Sequence, residues 1–94
     1  MWKIEETKSV VKQLSKAPRE IQKKYMFWKS IAQADGAFGL GLLPGLKDHE
    51  LKGEWEGSRS SRLNLQWRVI YIVDRKILRI LVIEVNAHDY RKKG

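Results

Sequence analysis

An α+β fold in the order β-α-α-β-β-β is predicted by three features of the chain. Residues 7–35 carry apolar side chains at helical spacing in two adjacent segments. The chain beyond His49 changes to short alternating runs rich in Val, Ile, Tyr and Arg, the pattern of strands. The run 77–85 is apolar at nearly every position, which asks for burial on both faces and the centre of a sheet. The predicted architecture is a twisted, mainly antiparallel sheet with an N-terminal helical hairpin packed on one face. Ninety-four residues, without repeats, fit one domain, 1–94.

Trp2-Lys3-Ile4-Glu5 alternates apolar and charged residues and predicts a first strand. Thr7 or Ser9 then caps a helix whose Val10, Val11 and Leu14 share a side, and Ala17-Pro18 ends it. Pro18 suits the first turn of a second helix, with Glu20 near the positive end of its dipole. Ile21, Tyr25, Trp28 and Ala32 form that helix's buried stripe, and Asp35-Gly36 is expected to stop it. Gly36, Gly39, Gly41, Gly45 and Pro44, mixed with leucines, predict a packed loop over 36–46. The Lys-Ser/Thr ending of a phosphate-binding loop is missing there. Residues 49–52 lead into a turn at 53–57. Strands follow at 58–65 and 67–73, and Asp74-Arg75-Lys76 reverses the chain into the central strand 77–85, which leads on to His88 and Tyr90.

Nineteen Lys and Arg against eleven Asp and Glu give a net charge of +8, which favours polyanionic partners such as RNA, DNA, anionic lipid or an acidic protein. There is no cysteine, so neither disulfides nor a thiolate metal site is available. The N-terminus is charged where a secretory segment is apolar, and no apolar run approaches about 18 residues. A soluble, cytoplasmic protein is expected. The two histidines, His49 and His88, are far apart in sequence and have no zinc-ligand spacing, so no metal or other cofactor is expected.

The region from Arg59 to Lys93 interleaves arginines with apolar strand residues and closes on His88-Asp89-Tyr90-Arg91. A cationic sheet face beside titratable groups suits chemistry on a phosphate backbone. His88 is the leading general acid or base, against a bland role capping the final strand. Tyr90 either donates a proton and stacks on a base or packs on the sheet. Arg68, next to Trp67, either faces the open side of the sheet and stabilises phosphate or pairs with Glu84 or Asp89. Arg59 and Arg62 have opposite parity, so a regular strand puts them on opposite faces. One then meets RNA, and the other supports it from an edge or pairs with an acid. Arg91, Lys92 and Lys93 form a basic tail, simply solvated on the bland reading. Trp55, flanked by glycines, is the tryptophan expected to lie exposed.

The run Leu51-Lys52-Gly53-Glu54-Trp55-Glu56-Gly57, then Ser60, Arg62-Leu63 and Trp67-Arg68-Val69-Ile70-Tyr71, resembles the sheet of RelE/ParE-superfamily toxins. The ending His88-Asp89-Tyr90-Arg91 is similar to the closing motif of RelE- and HigB-like members. The resemblance covers nearly the whole chain and implies a type II toxin–antitoxin toxin that cleaves mRNA in the ribosomal A site. It implies a cognate antitoxin, with the ribosome and mRNA as further partners. It also implies catalysis by His88, Arg68, Tyr90 and Arg62, with RNA held by Arg59, Lys52, Arg91, Lys92 and Lys93. Glutamate-using members make Glu50, Glu54 and Glu56 further candidate bases. Two alternatives stand beside this reading: a ParE-like inhibitor of DNA gyrase, and a nonenzymatic basic RNA-binding domain.

Overall fold

The computed structural model describes residues 1–87. The expectations placed on His88, Asp89, Tyr90, Arg91, Lys92 and Lys93 lie outside the described residues. Strand β1 (Lys3–Glu6) gives way to helix α1 (Lys8–Lys16) at Thr7, whose Oγ1 accepts the Val10 N–H at 3.1 Å. Thr7, rather than Ser9, is therefore the cap. Ala17, held extended before Pro18, ends α1. Gln22 reaches back from helix α2 (Arg19–Gly41) and donates to the carbonyls of Leu14 at 2.9 Å and Ala17 at 3.1 Å. It thereby satisfies acceptors that the end of α1 would leave bare. Val11 departs from the expected apolar side. It is exposed, because it lies about 100° round the helix from buried Val10.

Ile21, Tyr25, Trp28 and Ala32 are buried, as their spacing predicts. The expected stop at Asp35-Gly36 is instead a kink, and residues 37–41 of the expected loop are helical. Gly36 leaves helical geometry (φ 65°, ψ −156°), and a Cβ there would stand 2.5 Å from the indole of Trp2. Burial of Ala37 and Leu40 then restarts the helix, a tertiary effect that overrides the local breaker. A 3₁₀ turn (Pro44–Leu46) follows and ends at Lys47 in the left-handed region (φ 49°, ψ 40°).

The sheet has five strands rather than four, in the order β1-β5-β4-β3-β2. The additional strand is β2 (His49–Glu50), paired antiparallel with β3 (Arg59–Arg62). β4 (Trp67–Asp74) and β5 (Arg79–Ala87) pair antiparallel in the interior, and β1 lies parallel along β5. β5 starts later than expected: Ile77 and Leu78 belong to the turn and are exposed, and Leu78 has φ 51°. Ile80, Val82 and Val85 are fully buried, whereas Leu81 and Ile83 are only half-buried, so the second face of β5 is partly covered. Ile70 pairs with Glu84 but Tyr71 with Val82, leaving Ile83 as a bulge residue. That extra residue explains how Val82 and Val85, an odd number apart, both reach the core.

Pairing of β1 with β5 ends at Glu6 and Val82, which leaves an edge of β5 bare. Gln13 of α1 covers it: Oε1 accepts the Val85 N–H at 2.8 Å, and Nε2 donates to Glu84 at 3.2 Å. Both helices pack on one face of the sheet. Trp28 sits in the middle of that core, stacked on Tyr25 at 5.5 Å and edge-on to Tyr71 of β4 at 5.3 Å. No helix among the described residues is long and apolar enough to cross a membrane. No helix among the described residues covers the opposite face of β2–β5, and Arg62 of β3 and Arg68 of β4 lie there.

Candidate functional site

Strand alternation and register decide which side chains share the open face. Ser61 pairs with Val69 and Arg59 with Tyr71, so Arg59 and Ser61 face the helices. Ser60 and Arg62 face the other way, opposite Ile70 and Arg68. The opposite parity expected for Arg59 and Arg62 is thus realised. Two further rungs complete the open face: His49 stands opposite Ser60, and Arg68 opposite Asn86. Glu84, across from Ile70, accepts hydrogen bonds from Gln13 and Asn86 on the same carboxylate oxygen.

The loop after β3 raises a wall beside this face. Asn64 Oδ1 accepts the backbone N–H groups of Gln66 at 2.8 Å and Trp67 at 2.7 Å, an Asx turn that fixes the β3–β4 connection. Between this loop and β2 lies a concavity of about 190 Å³ lined by Lys47, His49, Ser60, Arg62, Trp67 and Arg68, with Asn64, Leu65 and Gln66 at its rim. Among the described residues that line it there are three cations and no carboxylate. Arg62 and Arg68 are direct cross-strand neighbours. Like charges so placed repel, and an anion bound between them turns that repulsion into attraction. Planar guanidinium groups suit phosphate oxygens in this role.

His49 faces the same hollow with a defined proton arrangement. Its Nδ1 lies 2.7 Å from the carbonyl oxygen of Lys47. A carbonyl can only accept, so Nδ1 carries the proton and the lone pair of the neutral ring is on Nε2. That tautomer leaves Nε2 as the ring atom able to accept a proton.

Beneath the site, on the helix side, Asp48 is fully buried at its carboxylate. Arg59 donates to Oδ1 through Nε at 2.9 Å and Nη2 at 2.7 Å. Ser61 Oγ donates to Oδ2 at 2.6 Å, and the Tyr71 hydroxyl donates to the same oxygen. The carboxylate accepts from every neighbour. Burial, and then the donated hydrogen bond to Asp48, push the Tyr71 hydroxyl well above the usual tyrosine range. Burial alone would lower Arg59, but the hydrogen bonds and charge of Asp48 outweigh it and hold the guanidinium charged.

Of the residues singled out from sequence, Arg62 and Arg68 come together at the concavity. Arg59 is on the other face, paired with Asp48, the acid-paired role open to one of the two arginines. Lys52 is exposed and borders a separate hollow with Glu50, Leu51, Glu56 and Gly57. Glu50 pairs with Arg59 in register, on the face opposite His49, and Glu54 lies in the exposed 3₁₀ turn Gly53–Trp55. Trp55 is 40% exposed, in keeping with its glycine-flanked position. His49 and Lys47 were not singled out by sequence reasoning. The signal for them is the register of β2, which no local pattern carries.

No protein-family model matches the chain, and no functionally curated protein matches it. Solved structures do. YafQ from E. coli superposes with a TM-score of 0.77 at 19% identity over 100% of both chains. The archaeal RelE of a RelE–RelB complex from Pyrococcus horikoshii gives 0.74 at 21% identity, covering 99% of this chain and 98% of that one. YoeB of a YoeB–YefM complex from Staphylococcus aureus gives 0.72 at 21%, covering 95% and 99%. The chain therefore shares the fold of these toxins.

Proposed function

We propose that this chain, folded as the RelE/ParE-superfamily toxins are, is the toxin of a type II toxin–antitoxin system and acts in the cytoplasm as a ribosome-dependent mRNA endoribonuclease. The observation that carries this reading is the pair Arg62 and Arg68, opposed on the open face beside His49, whose Nδ1 is held by the Lys47 carbonyl. In the proposed reaction, the 2′-hydroxyl of the RNA loses its proton to His49 Nε2 and its oxygen attacks the adjacent phosphorus. The P–O5′ bond breaks, leaving a 2′,3′-cyclic phosphate and a 5′-hydroxyl. Arg62 and Arg68 take the charge that grows on the phosphate oxygens.

The leaving oxygen needs a proton, and we assign it to the closing segment through His88 or Tyr90. Ala87, the last residue of β5, pairs with Trp67 at the wall of the concavity. Each positioned proton transfer contributes about 10²–10⁴-fold. Lys47, Lys52, Arg91, Lys92 and Lys93 are proposed to hold RNA backbone, and Arg59 to act from below through Asp48. The partner is a cognate antitoxin whose acidic and apolar residues cover the sheet face. Among the structural neighbours, RelE is in complex with RelB and YoeB with YefM.

Primer extension on mRNA translated in vitro with this protein tests the proposal. Cuts at A-site codons that need ribosomes, and that weaken in Arg62→Ala, Arg68→Ala and His88→Ala, are the expected result. Intact mRNA together with accumulating gyrase–DNA cleavage complexes would overturn it in favour of gyrase inhibition.

A further inference from the structure

The buried carboxylate of Asp48 belongs to none of the proposed chemical steps, yet it consumes four donors from three side chains. Its neighbours in sequence are the two site residues that sequence reading did not reach, Lys47 and His49. β2 holds only two residues, His49 and Glu50, and lies at the edge of the sheet, where so short a pairing has little strength of its own. Lys47 before it is strained into the left-handed region. Something other than β2's own pairing must hold this stretch in place. From the helix side, Arg59 and Ser61 of β3 and Tyr71 of β4 all converge on the Asp48 carboxylate. Alternation then directs the next residue, His49, to the opposite face. The same anchoring fixes the Lys47 carbonyl that accepts from His49 Nδ1 at 2.7 Å.

We infer that Asp48 is a positioning residue for the site: clamped by Arg59, Ser61 and Tyr71, it locks His49 in the tautomer with Nε2 unprotonated and aimed into the Arg62–Arg68 hollow. The Asp48 carboxylate is fully buried and its partners face the helix side, away from the hollow, so the clamp acts on His49 through the backbone of 47–49. This inference rests on the proposed nuclease site for its catalytic consequence, but the ring arrangement itself can be observed without any activity.

The test uses ¹⁵N-labelled full-length protein, whose two histidines make the imidazole nitrogen signals simple to assign. In the wild type above the titration range of histidine, His49 is expected to show a protonated Nδ1 and an unprotonated Nε2. In Asp48→Asn with native near-UV circular dichroism, those signals should move to the tautomer mixture of a free imidazole. RNA cleavage should then lose about tenfold or more in kcat, with KM within about twofold. Tyr71→Phe keeps the Asp48–Arg59 pair and serves if Asp48→Asn fails to fold. It should show the same change to a smaller degree. A wild-type ring already in mixture, or a folded variant whose ring signals and kcat match the wild type, would overturn the inference. A locked wild-type ring that loosens in the variants, in a protein that cuts no RNA, would leave the clamp standing and remove the nuclease reading instead.

Discussion

Two arginines of one short strand do different physical work, and mutation separates them. Arg62 is opposed to Arg68 over the concavity, and in the proposed reaction it contributes when charge develops on a bound phosphate. Arg62→Ala and Arg68→Ala should each lower the cleavage rate by about 10²–10³-fold while leaving the urea midpoint close to wild type. Arg59→Ala should do the reverse in stability. It strips two hydrogen bonds from a carboxylate with no access to water and leaves a buried charge short of partners. A loss of about 2–3 kcal/mol in urea unfolding is expected. Equal destabilisation by all three variants would mean that the two faces of the sheet are not functionally distinct.

The elements show where local pattern and tertiary packing part company. α1, the first four turns of α2, and β4 are legible, because Thr7 and Pro18 punctuate the helices and the apolar spacing, Val11 of α1 apart, matches the side that is buried. Gly36 predicts a stop, since glycine is a poor helix former, but the sequence around it does not reveal that Trp2 needs the space. β2 was not resolved as a strand because two residues carry no periodicity, and with it His49 was missed. The Ile83 bulge was hidden for a similar reason: it changes parity inside a run where every residue is apolar. The opposite facing of Arg59 and Arg62 was legible, because parity within a regular strand needs no knowledge of the partner. The Gly36 account makes a prediction at this scale. Gly36→Ala combines an unfavourable left-handed backbone with a Cβ 2.5 Å from the Trp2 ring. It should cost about 1–3 kcal/mol. Trp2 fluorescence should report a displaced indole, and a variant as stable as wild type would show that the kink is not set by Trp2.

At the scale of the whole molecule, charge and protonation set how the protein responds to solution conditions. With a net charge of +8, binding to single-stranded RNA should weaken linearly in log K against log salt, by roughly 0.7 per phosphate neutralised. Deleting residues 91–94, which removes Arg91, Lys92 and Lys93, should make that slope shallower by about 2 if all three meet phosphate. Alkaline stability follows from the two core tyrosines. Tyr25 donates to Glu6 at 2.5 Å and Tyr71 donates to Asp48, and in both cases burial and then the carboxylate raise the hydroxyl far above its usual range. Above pH 10, near the ordinary tyrosine value, the unfolded chain loses these protons while the folded chain keeps them. The unfolded state then binds fewer protons, so the slope of unfolding free energy with pH is negative: stability is full below about pH 10 and falls above it. Each tyrosine should contribute about 1.4 kcal/mol per pH unit to that fall. Urea titrations at a series of pH values should therefore give a shallower alkaline limb for Tyr25→Phe and a still shallower one for the double variant with Tyr71→Phe. An unchanged limb would mean that the hydroxyls ionise in the folded protein, which their carboxylate partners do not permit.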